Sequence, residues 1–157
     1  MRLKLIAITI VGILFFAACG GGDGETTADA NARNEKAEPL NTGSDKGIGK
    51  FDNVELSETI NADMAAAGEK IYDVKCASCH KLSDERLVGP GWKGVMNRHT
   101  PEWIMNFSTN VDEMLDKDPT AMALLEECLV RMPNQNLSDD DARHVLEFMR
   151  QNDAPVQ

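Results

Sequence analysis

Apolar residues fall into three regimes along this chain, and only the last has a helical rhythm. Leu5 to Phe16 is an almost unbroken apolar run. From Gly20 to about Lys50 almost nothing is apolar. From Phe51 to Asn152 apolar positions recur every three or four residues, the spacing of amphipathic helices. Met64, Ala67, Ile71 and Val74 share one face of a predicted helix capped by Asp63. Thr100-Pro101-Glu102 reads as a cap with proline at the first helical position, leading into Trp103, Ile104 and Phe107. Asp118-Pro119 repeats the device before Ala121, Leu124, Leu125, Cys128 and Leu129, and that helix is expected to run into Met132. Ser138 opens the last helix, with Asp139, Asp140 and Asp141 where the macrodipole favours acids. Its apolar stripe is Ala142, Val145, Leu146 and Met149. There is no run of alternating β-branched residues and no internal repeat. The predicted fold class is all-α, with four or so helices.

The N-terminal run is an address rather than a fold. Arg2 and Lys4 precede it, and Ala17, Ala18 and Cys19 follow, the layout of a secretory signal. At about fourteen residues it is short of the ~20 that a spanning helix needs. Small residues leading into cysteine resemble a bacterial lipobox, in which Cys19 is lipidated, although Phe16 stands where leucine is usual. An ordinary signal or an uncleaved anchor with an incidental cysteine is the alternative. The expected partition is a signal peptide over 1–18, a flexible tether over 19–50, a folded domain over 51–152 and a tail over 153–157. The polar tether cannot bury enough surface to offset its ordering entropy, and about thirty such residues span roughly 30 Å.

Charge narrows the partners. With 16 Lys+Arg against 26 Asp+Glu the balance is −10, and losing Arg2 and Lys4 makes it −12. That argues against a nucleic-acid binder. Residues 101–157 carry 12 acids against 4 bases, whereas 60–100 carry 5 against 6. The C-terminal half is the acidic face, expected to steer a basic partner patch.

Candidate chemistry centres on Cys76-Ala77-Ser78-Cys79-His80. C-x-x-C-H is the spacing of covalent haem attachment. Two thiols add across the porphyrin vinyl groups, and the next residue, His80, is thereby delivered beneath the iron. Two other readings compete. A thioredoxin-like C-x-x-C needs an α/β sheet, and none is visible. A zinc ribbon needs a second ligand pair, and Cys128 stands alone.

From Met64 to Gln151 the chain resembles the small, class I-like monohaem cytochromes c. Gly68-Glu69-Lys70-Ile71-Tyr72 matches the family's first helix, Gly89-Pro90 with Gly94-Val95 its turn, and Met132-Pro133 before Leu137-Ser138-Asp139 its sixth-ligand loop and last helix. The resemblance implies one covalent haem c, a Pro90 carbonyl accepting from the second nitrogen of His80, and Val145 or Phe148 packed on Gly68 and Tyr72. It also implies that Arg98 or a tryptophan N–H, from Trp92 or Trp103, holds a haem propionate. Ordinary core packing is the other reading of these three.

For the sixth ligand, Met132 lies 52 residues after His80. Met64, Met122 and Met149 fit apolar helix faces, where core filling is the default. Met96, Met105 and Met114 lack a loop before the final helix. His99 reads as a surface or capping residue and His144 as a half-exposed helical one, which leaves bis-histidine ligation as an alternative. Cys128 reads as a buried, inert thiol.

Iron held by His80 and Met132 has no vacant position and changes oxidation state with little rearrangement, which suits electron transfer. No nucleophile–base constellation or phosphate-cradling loop appears, so hydrolase and nucleotide-binding readings are set aside. The resemblance implies a monomeric, lipid-anchored carrier in the bacterial periplasm. Its donor is expected to be a quinol-oxidising complex or another cytochrome, and its acceptor a terminal reductase or oxidase. The WIMN and DPTAMALLEE segments resemble small lipoprotein cytochromes of nitrous-oxide-respiring bacteria, which points to nitrous oxide reductase as acceptor. A haem sensor or peroxidase with a displaceable sixth ligand, and a fixed haem subunit of a larger complex, are the alternatives.

Overall fold

The structure is a computed structural model that describes residues 45–155. The signal segment, Cys19 and the tether up to residue 44 lie outside the described residues, as do the last two residues of the tail. Within the described residues six helices follow one another: α1 Ala62–Lys75, α2 Val95–Arg98, α3 Pro101–Thr109, α4 Val111–Lys117, α5 Pro119–Cys128 and α6 Asp139–Asp153. The only extended pairing among them is an isolated bridge between His80 and Arg86. No helix among them is long and apolar enough to cross a membrane.

The predicted caps at Thr100, Asp118 and Ser138 are present, each side chain accepting from a backbone N–H of the first turn. Ser138 and Asp141 form a full capping box. The first helix differs. Asn61, not Asp63, caps α1 by accepting from the Met64 N–H at 3.1 Å, and Asp63 falls in the first turn. Helices α2 and α4 were missed because four and seven residues are too few to show a period.

The frame is the packing of α1 on α6. Gly68 makes it possible: a Cβ there would lie 2.1 Å from the His144 carbonyl oxygen and 2.9 Å from the Phe148 Cβ. Tyr72 and Phe148 pack with ring centroids 5.5 Å apart, so Phe148 takes the place expected of it. The far end of α6 fastens the central loops. Asp153 accepts from the Gly94 and Met96 N–H groups at 2.6 and 2.9 Å, and Asn152 donates to the Leu82 carbonyl at 3.0 Å. Asp153 is therefore an anchor of the domain and not part of a tail.

The domain also begins earlier than Phe51. Residues 45–50, assigned above to the tether for their polar composition, lie against α3 and α4. The buried Asn106 donates to the Lys46 and Phe51 carbonyls. Asn110 donates to the Ile48 carbonyl, and Thr100 to that of Asp45. Gly49 lies so close that a Cβ would meet Asn106 Oδ1 at 2.2 Å. Composition missed this segment because side-chain hydrogen bonds to its backbone, with Ile48 as its one apolar contact with the core, hold it in place.

Candidate functional site

Cys76 is the C-cap of α1, and the chain from Cys76 to His80 turns out of that helix through bonds from the Cys79 and His80 N–H groups to the Cys76 carbonyl. A loop then folds back: Val88 and Gly89 donate to the Cys79 carbonyl, and Trp92 to that of Lys81. This return brings Pro90 beside His80. The His80 Nδ1 lies 2.9 Å from the Pro90 carbonyl oxygen, and since a carbonyl only accepts, Nδ1 carries the proton and Nε2 is left with a free lone pair. Gly89 packs flat on the ring, where a Cβ would come within 2.4 Å of Cε1. Tyr72 donates to the His80 carbonyl at 2.7 Å. Burial lowers the His80 pKa, with the Pro90 bond opposing. The imidazole is thus neutral, oriented and ready to bind a metal.

Cys76, Cys79, His80 and Met132 all face one cavity of about 400 Å³. Trp92, Trp103, Ile104, Phe107, Leu124, Val145 and Met149 supply its apolar wall. Met132 arrives there on an irregular segment, which corrects the expected helix. α5 stops at Cys128, and Leu129 takes a left-handed conformation (φ 59°) that breaks the helix three residues before Met132. Met149 also reaches the cavity, from the middle of α6. Met105 and Met114 are buried in the core, whereas Met122, expected to fill it, is 41% exposed.

The thiols are free. Burial pushes Cys76 up to about 11, Lys75 opposes, and Cys79 adds to the rise. A thioredoxin-like pair sits at a helix N-terminus, where the dipole stabilises thiolate. This pair follows a helix C-terminus, where the dipole disfavours it. For zinc, no group of three or more His, Cys, Asp or Glu among the described residues could hold a metal ion. Two free thiols, a metal-ready imidazole and a large apolar cavity fit a covalent porphyrin.

The neighbouring residues hold some surprises. Trp103 lines the cavity, yet its indole N–H donates to the buried Asp118 at 3.1 Å. That bond removes Trp103 as a propionate donor and leaves its ring as wall. Arg98 lies at the cavity and donates to the Lys93 and Gly91 carbonyls. Trp92 packs 5.9 Å from the His80 ring and 4.8 Å from Tyr72. His99, read as a surface residue, stacks on Trp103 at 4.0 Å and lines the cavity. Burial and Arg98 push it down to about 4, with Asp118 opposing. Its place was hidden because it sits between two helices and belongs to neither stripe. Cys128 is half-buried beside a second cavity of about 80 Å³, shared with His80 and Met132. His144 stays on α6, away from both cavities.

A family model described as cytochrome c matches residues 65–153. The chain belongs to the cytochrome c family. It is similar to the cytochrome c from Rhodothermus marinus, with 36% identity and a TM-score of 0.65, covering 69% of this chain and 92% of that one. An engineered form of that cytochrome bound to a carbene intermediate matches with 35% identity and a TM-score of 0.62, over 69% of this chain and 93% of its own. No curated protein matches. As a cytochrome c the protein carries one covalently attached haem c, and its all-α fold is that of the family.

Proposed function

We propose that the protein is a membrane-tethered electron carrier, with Cys76 and Cys79 attaching the haem and His80 and Met132 binding its iron. The observation that carries this reading is the convergence of all four side chains on one apolar cavity. When bound, the haem supplies a one-electron couple. The chain's own part is to orient His80 through Pro90, to exclude water with Trp92, Phe107 and Leu124, and to bring a thioether into the same cavity as the imidazole. Thioether ligation raises the potential relative to a second histidine.

Export with lipidation at Cys19 would hold the domain at a bacterial membrane, in the periplasm. There it would take electrons from a quinol-oxidising complex or a second cytochrome. It would pass them to a terminal reductase or oxidase, with nitrous oxide reductase a candidate. The acidic C-terminal half would steer a basic partner patch, so reduction of the true partner should slow as ionic strength rises.

The decisive experiment is the absorption spectrum and midpoint potential of the haem-loaded protein beside Met132→Ala. The expected result is a low-spin ferric spectrum with a thioether-to-iron charge-transfer band, lost in the variant together with a fall in potential. A high-spin wild-type iron that binds added ligand freely would instead favour a sensor or peroxidase.

A further inference from the structure

The segment that delivers Met132 is fastened in an unusual way. Among the described residues, no backbone-to-backbone hydrogen bond joins 130–137 to any other part of the domain. Leu129 and Asn136, both left-handed, bracket the segment. Val130 is 53% exposed, and the segment's apolar contacts with the core are those of Met132 itself and of Leu137. Two of the bonds are internal, from Gln135 to the Pro133 carbonyl and from the Asn136 N–H to Asn134.

Two basic side chains provide the polar anchorage to the rest of the domain, one on each side of Met132. Arg131 reaches α4, where its Nη2 lies 2.9 Å from the Asp116 carboxylate, 3.1 Å from the Asp112 carbonyl and 3.4 Å from the Asp112 carboxylate. Lys75, the last residue of α1 and next to Cys76, donates to the Gln135 carbonyl at 2.9 Å. One strap ties the segment to α4, the other to the helix that ends at the haem-binding cysteines.

We propose that Arg131 and Lys75 are positioning residues that hold the Met132 thioether in the cavity and so govern how readily an outside ligand replaces it. The inference rests on Met132 being the sixth ligand. The Arg131 Nη2 meets two acids one helical turn apart, and a lysine there would keep the charge without the planar donor geometry of a guanidinium. Both straps are exposed and individually weak, so cutting them frees the segment while leaving the α1–α6 frame intact. A segment that opens more often presents its iron to competitors for a larger fraction of the time, and apparent ligand affinity rises in proportion.

The test is a titration of the full, haem-loaded ferric protein with imidazole, with the charge-transfer band and the urea midpoint recorded for each variant. Arg131→Gln and Lys75→Gln are each expected to bind imidazole about two- to fivefold more tightly than wild type. The double variant should bind more tightly still, Arg131→Lys should fall between, and urea midpoints should stay close to wild type. Suppose the wild type shows the band and Met132→Ala binds imidazole tightly, yet the strap variants titrate like wild type: the straps then have no such role. A rise in affinity that only tracks a falling urea midpoint overturns the proposal as well. If the wild type lacks the band and Met132→Ala titrates identically to it, the ligand assignment fails instead.

Discussion

Asn106 and Phe51 exchange two hydrogen bonds across 55 positions of chain. The Phe51 N–H donates to Oδ1 at 3.0 Å, and the side-chain amide donates back to the Phe51 carbonyl at 3.0 Å while also holding the Lys46 carbonyl at 2.9 Å. Only a carboxamide offers both a donor and an acceptor here. Asn106→Asp keeps the shape but turns two donors into acceptors that face two carbonyls, at a cost of about 2–4 kcal/mol. Urea unfolding measures that cost, and limited trypsin digestion should show new cleavage after Lys46 and Lys50.

Gly68 sets two effects of opposite sign against each other. Helix propensity favours Gly68→Ala by about 1 kcal/mol. The added Cβ, however, would meet the His144 carbonyl, a backbone atom that cannot swing away. Overpacking of this kind costs about 1–3 kcal/mol or more, so the variant should be less stable. Thermal unfolding of the haem-loaded protein decides the sign, and a higher midpoint would contradict the close packing of α1 on α6.

Glu147 is fully buried in α6, with ion pairs to Arg143 and Arg150 and a bond from the Asn61 N–H. Burial works to raise its pKa, but Arg143, the Asn61 N–H and Arg150 more than offset it, so the carboxyl titrates below its ordinary 4.5. The unfolded chain therefore binds this proton first, and the stabilisation is complete above the unfolded value. It is lost as pH falls through the folded one. Glu147→Gln should cost about 3–5 kcal/mol at pH 7, and its deficit should shrink as pH falls below about 4.5. Urea unfolding at pH 7 and pH 3.5 provides the comparison; a constant deficit would rule the ion pairs out as its cause.

Trp103 and Asp118 make a pair that separates stability from redox tuning. Trp103→Phe loses a buried bond to a carboxylate, worth about 1.5–3 kcal/mol. The ring stays in the cavity wall, so the midpoint potential should remain near the wild-type value. Redox titration beside urea unfolding tests both halves, and a large change in potential would show the indole N–H serving the haem.

What could be read from the chain, and what could not, divides along physical lines. Caps built from Thr100, Asp118 and Ser138 are local devices, and a local pattern reveals them. The same holds for the cysteine spacing that delivers His80. Three features depend on more than the local apolar pattern. Residues 45–50 look like linker until Asn106 accounts for their carbonyls. His99 looks exposed until Trp103 stacks on it. The end of α5 looked continuous because its apolar period runs on through Leu129, whereas the left-handed turn at that residue is set by where the chain must go next. Trp103 is the instructive case for the site: its position on the cavity was legible, but the partner that claims its N–H lies 15 residues away, at the boundary between α4 and α5.

The Cys76 thiol has a consequence for how the protein is made. With its pKa near 11 and 8% of its surface exposed, the folded chain at neutral pH holds the thiolate in only about one molecule in ten thousand. A thiol so protected is a poor nucleophile in the folded chain. Attachment is therefore expected to be faster on an open chain, with the polypeptide then closing around a group it already carries.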